Sequence, residues 1–387
     1  MRRDHLRTAA LTGLAIAAGW IGWSGQVVLL PATLAFPAIW ALVPNRVAVG
    51  LVSAGYFLAA SRGLPQGAAA FYSYNLWPGL FLWLVASISF LSVHTVLWTS
   101  VASKRPHRFL AAALLMALPP FGITGWAHPI TAAGVLFPGW GWWGLAATTA
   151  GLIGLVSWIW PAVAIALTGA WAWSAATWTD PEVPRSWRGV DLEMGASLGR
   201  EADLSRQRDL ISKARGAADD GVGYIVLPES ALGFWTPTVE RLWTKALVGS
   251  SVTVIAGAAV VDADGYDNVL VEMSAAGARV LYRERMPVPG SMWQPWRSWW
   301  GDSEGAQADF FANPIVVLHD RKLAPLICYE QLIAWPVLQS MLHDPDVIVA
   351  VGNGWWTANT SIVAIQRASV EAWARLFAKP LVISFNA

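Results

Sequence analysis

The chain has 387 residues, of which 55% are hydrophobic and only 13% are charged, whereas an average soluble domain carries about 25% charged residues. The formal net charge is +1, which gives no electrostatic basis for nucleic-acid binding, and none is predicted. Cys328 is the single cysteine, so a disulfide within the chain is excluded and a cysteine-based zinc site is not expected. The histidines show no metal-ligand spacing, and the sequence predicts neither a metal nor another cofactor.

The first part of the chain, residues 1–178, is predicted to be a transmembrane domain of about seven helices. A bilayer requires about 20 apolar residues in a helix that crosses it. Long apolar runs fill this part, while most charged residues follow position 180. The candidate spans are 8–24, 27–44, 46–61, 77–99, 109–126, 134–157 and 159–177. Tryptophans near their ends fit an interfacial aromatic belt, so the lipid bilayer is an expected partner.

Basic residues in the short loops predict the orientation of these spans. They precede the first span and follow the second and the fourth, which is one side of the membrane if the spans alternate. These residues are Arg2, Arg3, Arg7, Arg46, Lys104, Arg105 and Arg108. By the positive-inside rule that side is cytoplasmic, with only Arg62 in disagreement. An odd number of spans then predicts a multi-pass protein of the bacterial inner membrane with a periplasmic C-terminal domain.

A linker at 179–186 and a second domain at 187–387 are predicted from the change in pattern. Helix and strand patterns alternate after the linker, which contains Asp180-Pro181-Glu182-Val183-Pro184. Strands are predicted at 224–227, 252–261, 269–274, 278–283, 315–318, 323–327, 347–351 and 381–384, and helices at 203–215, 241–248, 332–342 and 362–377. This mixture of hairpins and strand–helix units predicts a layered α/β sandwich.

Three features of the second domain could carry chemistry. Glu229 follows a buried strand, where desolvation can raise a carboxyl pKa towards that of a general base, although a helix N-terminal Glu is an equal alternative. Cys328 lies at a strand-to-helix junction, where amides can activate a thiol, although a lone Cys is more often a buried core residue. The loop Gly352-Asn353-Gly354-Trp355-Trp356 indicates by itself only a turn.

Taken together, these elements resemble the nitrilase superfamily, and most closely its membrane branch, the apolipoprotein N-acyltransferases. The resemblance covers the whole layout and implies an αββα sandwich, a Cys328 nucleophile and a Glu229 general base. It rests on Pro228-Glu229, on Tyr282 through Pro289, on Cys328-Tyr329-Glu330, on Asn353-Gly354-Trp355-Trp356, and on Gln366, Arg367, Glu371, Lys379-Pro380 and Asn386.

One departure from the family pattern concerns the catalytic lysine. The family places a Lys beside the thiolate to stabilise the oxyanion, and this chain has Glu284 at that position. Arg283 and Arg285 flank it, but on a strand they would point to the opposite face, so either requires a bulge or a register slip. Because the loop begins there, we expect Arg285 to supply the cation.

Within the membrane branch, the pattern looks like proteins of conjugal plasmid transfer, which implies a role in that process and a partner in the transfer machinery. The chain is then expected to be a membrane-anchored nitrilase-like protein, with the activity of a Cys-dependent amidase or acyltransferase as one interpretation. The alternatives are lipoprotein acylation and a catalytically inactive component of the machinery. A transporter is disfavoured, because no candidate span carries a charged residue near its centre. The Trp-rich segment 290–301 is predicted to dip into the outer leaflet and admit a lipid-like or membrane-delivered substrate.

The topology can be checked with reporters. We expect the N-terminus and the Lys104–Arg108 loop to be cytoplasmic and residues 186–387 to be periplasmic, because of the positions of the basic residues. A reporter fused after Ala387 should be active only in its periplasmic form. Activity of a cytoplasm-specific reporter at this position would contradict the seven-span count.

Overall fold

The computed structural model describes residues 2–72, 75–195, 204–263, 265–300 and 305–386, which divide into two compact units. The first, here called the helical unit, contains the chain up to Pro181 together with Leu332–Trp335 and Asn359–Lys379. The second, here called the sandwich unit, contains Glu182–Gln331, Pro336–Ala358 and the chain from Pro380. The predicted boundaries at 178 and 187 stay a prediction, and two later segments of the chain belong to the helical unit.

Nine helices of the helical unit precede the sandwich unit in the described part of the chain. They are α1 (Arg2–Gly22), α2 (Ala35–Leu42), α3 (Arg46–Ala60), α4 (Leu64–Tyr72), α5 (Leu76–Leu97), α6 (Arg105–Ala117), α7 (Ala133–Leu136), α8 (Gly141–Leu155) and α9 (Trp160–Thr177). A buried aromatic cluster packs between them, with Phe36, Tyr56 and Phe90 in ring contact. Helix α4 lies between the predicted spans 46–61 and 77–99 and was not predicted from the sequence.

Judged by length and composition, a single helix of the described residues, α5, is long and apolar enough to cross a membrane. Helices α3 and α4 pass the same test only as a pair that is bent by 54°. The expected seven spans are therefore not confirmed. Pro and Gly divide several of the apolar runs into shorter helices. Pro31 lies in a 3₁₀ segment before α2, and α6 ends just before Pro119-Pro120. Positive φ is found at Gly139, before α8, and at Gly141, its first residue.

The sandwich unit contains two sheets. The first has the order β1 (Trp187–Gly189), β2 (Tyr224–Val226), β3 (Thr253–Asp262), β4 (Gly265–Ser274) and β5 (Gly277–Arg283). The second has the order β6 (Val316–Leu318), β7 (Arg321–Ile327), β8 (Val347–Asn353) and β9 (Leu381–Asn386). In the first sheet, β2 pairs in parallel with both β1 and β3, and β4 pairs antiparallel with both β3 and β5. In the second sheet, β8 pairs in parallel with both β7 and β9.

Three further helices are α10 (Leu204–Asp219), α11 (Pro237–Leu247) and α12 (Ala334–Met341), and α13 (Ile362–Leu376) falls in the helical unit. The two sheets share one core, formed by residues such as Val226 and Ile255 of the first and Val349 and Val351 of the second. Helices α10 and α11 cover the outer face of the first sheet. The predicted strands and helices of this domain are confirmed, with bounds that differ by a few residues; position 203 lies outside the described residues.

Trp243 of α11 anchors the helix layer. Its ring is fully buried, and its Nε1 donates to Gln207 Oε1 on α10 at 2.6 Å. We expect Trp243→Ala to lower the free energy of unfolding by about 3–5 kcal/mol, because it removes a large buried side chain and leaves a cavity. The measurement is protease resistance of the sandwich unit at increasing urea concentration. Val248→Ala, at an exposed position beside the end of the same helix, should have little effect; equal effects would contradict the assigned packing.

Candidate active site

Cys328 lies directly after strand β7, at the start of the 3₁₀ turn Cys328–Gln331. Its φ is +47°, in the left-handed region that costs a non-glycine residue energy and is found at functional sites. The side chain is only 6% exposed. The turn is fixed by Glu330, whose Oε2 accepts a hydrogen bond from the Ile327 N–H at 2.8 Å. The predicted strand-to-helix junction is confirmed, and a turn of this kind presents the thiol in a fixed direction.

Glu229 lies in the segment that leaves β2 and crosses β3 at Gly257. The Gly257 N–H donates to the Pro228 carbonyl at 3.1 Å. A Cβ on residue 257 would lie 2.4 Å from the Glu229 Cα, so only glycine permits this approach. A glycine inside a strand often marks such a close backbone contact. The next residue, Ser230, has φ +60°, which turns the chain away and leaves the Glu229 carboxyl directed into the unit.

The Glu229 carboxyl is 5% exposed, and burial is the main cause that raises its pKa to about 7. Hydrogen bonding from Asn268, from the Cys328 thiol and from the Asn353 backbone N–H acts in the opposite direction, while the charge of Glu330 raises the pKa further. The Asn268 bond is 2.7 Å long, to Oε1. The hydrogen bond with the Cys328 thiol places the thiol and the carboxyl next to each other. A carboxyl with a pKa near neutrality suits a general base.

Asn353, in the third predicted feature, ends strand β8 beside this carboxyl. Its Oδ1 accepts from Asn386 Nδ2 at 2.8 Å, and the Gly354 N–H donates to the Asn386 carbonyl at 2.6 Å. These bonds join the ends of the parallel strands β8 and β9. The structure thus brings together Cys328, Glu229 and the Asn353 loop, which are far apart in sequence.

Glu284, at the family's lysine position, lies immediately after β5 and is 3% exposed. Its N–H donates to the Asn268 carbonyl at 2.8 Å, and its Oε2 accepts from Asn268 Nδ2 at 3.0 Å. The same side-chain nitrogen therefore bridges Glu284 and Glu229. The pKa of Glu284 is raised well above its usual range by burial, then by the charges of Glu229 and Glu330, while the Asn268 bond opposes the shift.

Arg285, the expected oxyanion cation, is 1% exposed and takes part in a different network. Its Nε donates to the Tyr282 hydroxyl at 2.8 Å and lies 3.5 Å from Glu330 Oε1. Its Nη1 donates to Gln339 and its Nη2 to Ser340, at 2.9 and 3.1 Å. The guanidinium thus hydrogen-bonds neither Cys328 nor Glu229. Strand β5 ends at Arg283, so the alternation of faces that was expected to turn both arginines away from residue 284 does not extend to Arg285.

Arg283 also differs from the expectation. It forms an ion pair with Asp267, and its side chain is 46% exposed. Neither flanking arginine is paired with Glu284 or Glu229. Asn268, which bridges those two carboxyls, was not singled out from the sequence; an amide directly before the apolar run 269–271 was the available signal.

The predicted Trp-rich segment 290–301 is described up to residue 300, and the side chain of Trp300 lies outside the described part. Residues Pro295–Trp300 form a 3₁₀ turn. Trp293 packs edge-on against Phe310, with ring centroids 5.2 Å apart. Trp296 and Trp299 are 41% and 79% exposed. This segment therefore exposes two tryptophan rings, and its contact with a membrane stays a prediction.

The family model for the carbon-nitrogen hydrolases matches residues 58–375. The chain belongs to the carbon–nitrogen hydrolase family. The second domain therefore has a nitrilase-like fold, as the resemblance implied. At the level of whole chains, it is similar to "Probable conjugal transfer protein TraB" of Sinorhizobium fredii, at 67% identity over 100% of both chains. It is also similar to "Conjugal transfer protein TraB" of Agrobacterium fabrum, at 60% identity over 100% of this chain and 94% of that one.

Among solved structures, an amidase of the nitrilase superfamily from Nesterenkonia AN1 matches with a TM-score of 0.38 and 13% identity. The match covers 53% of this chain and 79% of the amidase.

The role of Arg285 can be tested by substitution. We expect Arg285→Met to lower the free energy of unfolding by about 3–5 kcal/mol, because it leaves the Glu330 carboxylate buried without its cation. The measurement is the urea midpoint of the sandwich unit. Arg188→Met removes an exposed ion pair with Asp220 and should cost about 1 kcal/mol or less. Normal stability of Arg285→Met with an unreactive Cys328 would instead favour the predicted oxyanion role.

Proposed function

We propose that this chain is a Cys-dependent hydrolase or acyltransferase, in which Cys328 is the nucleophile and Glu229 the general base. The observation that carries the proposal is a buried thiol beside a buried carboxyl whose pKa is about 7. A thiol needs a base to become a nucleophile at neutral pH, and a base works best when its pKa is close to the working pH. Membership of the carbon–nitrogen hydrolase family supports the same chemistry.

The reaction begins with attack of the Cys328 sulfur on an amide, ester or thioester carbonyl. Glu229 takes the thiol proton as the S–C bond forms, and returns it to the leaving group as the old bond breaks. The product is a thioester on Cys328. Attack by water then completes an amidase cycle, whereas attack by an amine completes an acyl transfer.

We further propose a role in conjugal plasmid transfer at the bacterial inner membrane. The printed names of the two conjugal transfer relatives support the process and a partner in the transfer machinery. Helix α5 supports membrane anchoring, because Trp77, Phe81, Leu84 and Ile88 follow one face of it and are 53–76% exposed. Large exposed apolar faces are uncommon on soluble monomers. The multi-pass domain at 1–178 and the periplasmic C-terminal domain remain part of this proposal.

The exposed Trp296 and Trp299 rings favour a lipid-like or membrane-delivered substrate over a small soluble amide. Tryptophan is favoured at the membrane interface, where the ring is in an apolar medium and the N–H stays hydrated. Lipoprotein acylation belongs to the same proposal when the acceptor is an amine.

A second candidate function is a component of the transfer machinery that keeps the fold without catalysis. Glu284 at the family's lysine position favours it, because an acidic side chain replaces the expected cation. The two candidates differ in whether transfer requires the thiol.

The deciding experiment is plasmid transfer by variants of the full-length protein. We expect Cys328→Ser and Glu229→Gln each to reduce transfer by at least about 10²-fold while the protein still accumulates in the membrane, because loss of a nucleophile or its base removes most of the rate. Glu193→Gln, an exposed position of the sandwich unit, is the matched control and should transfer normally. Normal transfer by both site variants would support the non-catalytic function.

A further inference from the structure

We propose that Glu284 acts as a neutral carboxylic acid that replaces the family's lysine and donates a hydrogen bond to the oxyanion. This inference rests on the proposed function and adds a catalytic residue to it. Two observations carry it. Asn268 Nδ2 bridges the carboxyls of Glu284 and Glu229, and Glu284 Oε1 is buried without a hydrogen-bond partner among the described residues.

The first argument is the charge balance around the bridge. Asn268 holds two buried carboxyls side by side with a single amide nitrogen. This nitrogen stabilises a negative charge by hydrogen bonding, but it carries no positive charge. Among the described residues neither carboxyl has an ion pair. Arg285 is engaged by Glu330 and Arg283 by Asp267. Two adjacent buried carboxylates cannot both ionise without a cation, so the pair retains a proton.

The second argument is which member of the pair holds that proton. The groups that face Glu284 are Glu229, Glu330 and Asn268, and both acids disfavour its charged form. Glu229 has more support as an anion, from the Cys328 thiol and the Asn353 N–H in addition to Asn268. The proton therefore resides on Glu284, and Glu229 stays free to act as the base.

The third argument is where the acid's O–H is available. Oε2 of Glu284 accepts the Asn268 bond, so it is the acceptor oxygen, and Oε1 carries the hydrogen. Because Oε1 has no partner in the described part of the chain, its O–H is left for an incoming group. A carboxylic acid that an apolar site keeps neutral is an effective oxyanion donor.

In the reaction, the Cys328 sulfur forms a bond to the carbonyl carbon and the π-electron pair moves to the carbonyl oxygen. The thiol proton goes to Glu229, and the Glu284 O–H donates a hydrogen bond to the oxygen. When the oxygen pair returns, the bond to the leaving group breaks and the leaving group takes the proton from Glu229. Glu284 keeps its own proton throughout, so it stabilises charge without being consumed.

Two thiol reagents can test this, because Cys328 is the only cysteine. Addition of acrylamide develops negative charge on the amide oxygen, whereas iodoacetamide expels iodide without an oxyanion. Glu229 activates the thiol for both reagents, so the ratio of the two rates reports on the oxyanion donor. The rates are measured by mass spectrometry of the full-length protein in detergent, with unfolding checked for every variant.

We expect Glu284→Leu to lower the acrylamide-to-iodoacetamide ratio by about 10²-fold, the usual effect of losing one oxyanion donor. In the wild type the ratio should fall as the pH rises and Glu284 ionises, since only the acid donates. Glu284→Gln keeps a donor N–H that does not ionise, so its ratio should be independent of pH. Glu193→Leu is the control and should behave as the wild type.

A pH-independent ratio in the wild type would overturn the inference even if Glu284→Leu fails to fold, as would an unchanged ratio in folded Glu284→Leu. A different conclusion follows if neither reagent labels Cys328 in the native wild type but both label it after unfolding. It would show an inert thiol and overturn the proposed function, together with this inference. Labelling by both reagents with an unaffected ratio would overturn the role of Glu284 alone.

Discussion

The buried carboxylate of Glu330 is the constraint on which the arrangement of the site depends. It accepts hydrogen bonds from the Tyr282 hydroxyl and from the backbone N–H groups of Ile327 and Arg285, and it pairs with the Arg285 guanidinium. These contacts join the end of β7 in the second sheet to the segment after β5 in the first. Cys328 has an unfavourable positive φ, so its turn requires restraint from neighbouring groups, and Glu330 supplies it from two residues away.

This arrangement separates the buried charges into two groups with different properties. One is a fixed ion pair, in which Glu330 and Arg285 satisfy each other and Tyr282 connects them. The other is the pair of Glu229 and Glu284 on Asn268, which has no cation among the described residues and in our proposal keeps one proton. The ion pair holds the backbone of the site in place, and the protonation state of the carboxyl pair can change with pH. Because the two carboxyls titrate together, any apparent pKa measured there belongs to the pair.

The strands of the sandwich unit could be predicted closely because buried parallel strands form short apolar runs between turns, as at 347–351 and 323–327. The positions of Cys328 and Glu229 followed from where such runs end. The helical unit was harder, since an apolar run shows hydrophobicity but not where Pro or Gly interrupts the helix, as at Pro31 and Gly139. The contacts of Arg285 could not be predicted, because they depend on where β5 ends. Asn268 was missed because its two partners lie 39 and 16 residues away.

Helix α13 lies between β8 and β9 in sequence, yet it belongs to the helical unit. Its backbone is so close to α7 that a Cβ on Gly134 would lie 1.7 Å from the Ala372 carbonyl oxygen. The two units are therefore interleaved along the chain, and no single cut separates them. A fragment that begins at residue 187 would carry α13 without its helical neighbours and would expose apolar residues that they cover. Studies of isolated halves would thus describe damaged folding units, and whole-chain preparations are the appropriate material for biochemistry.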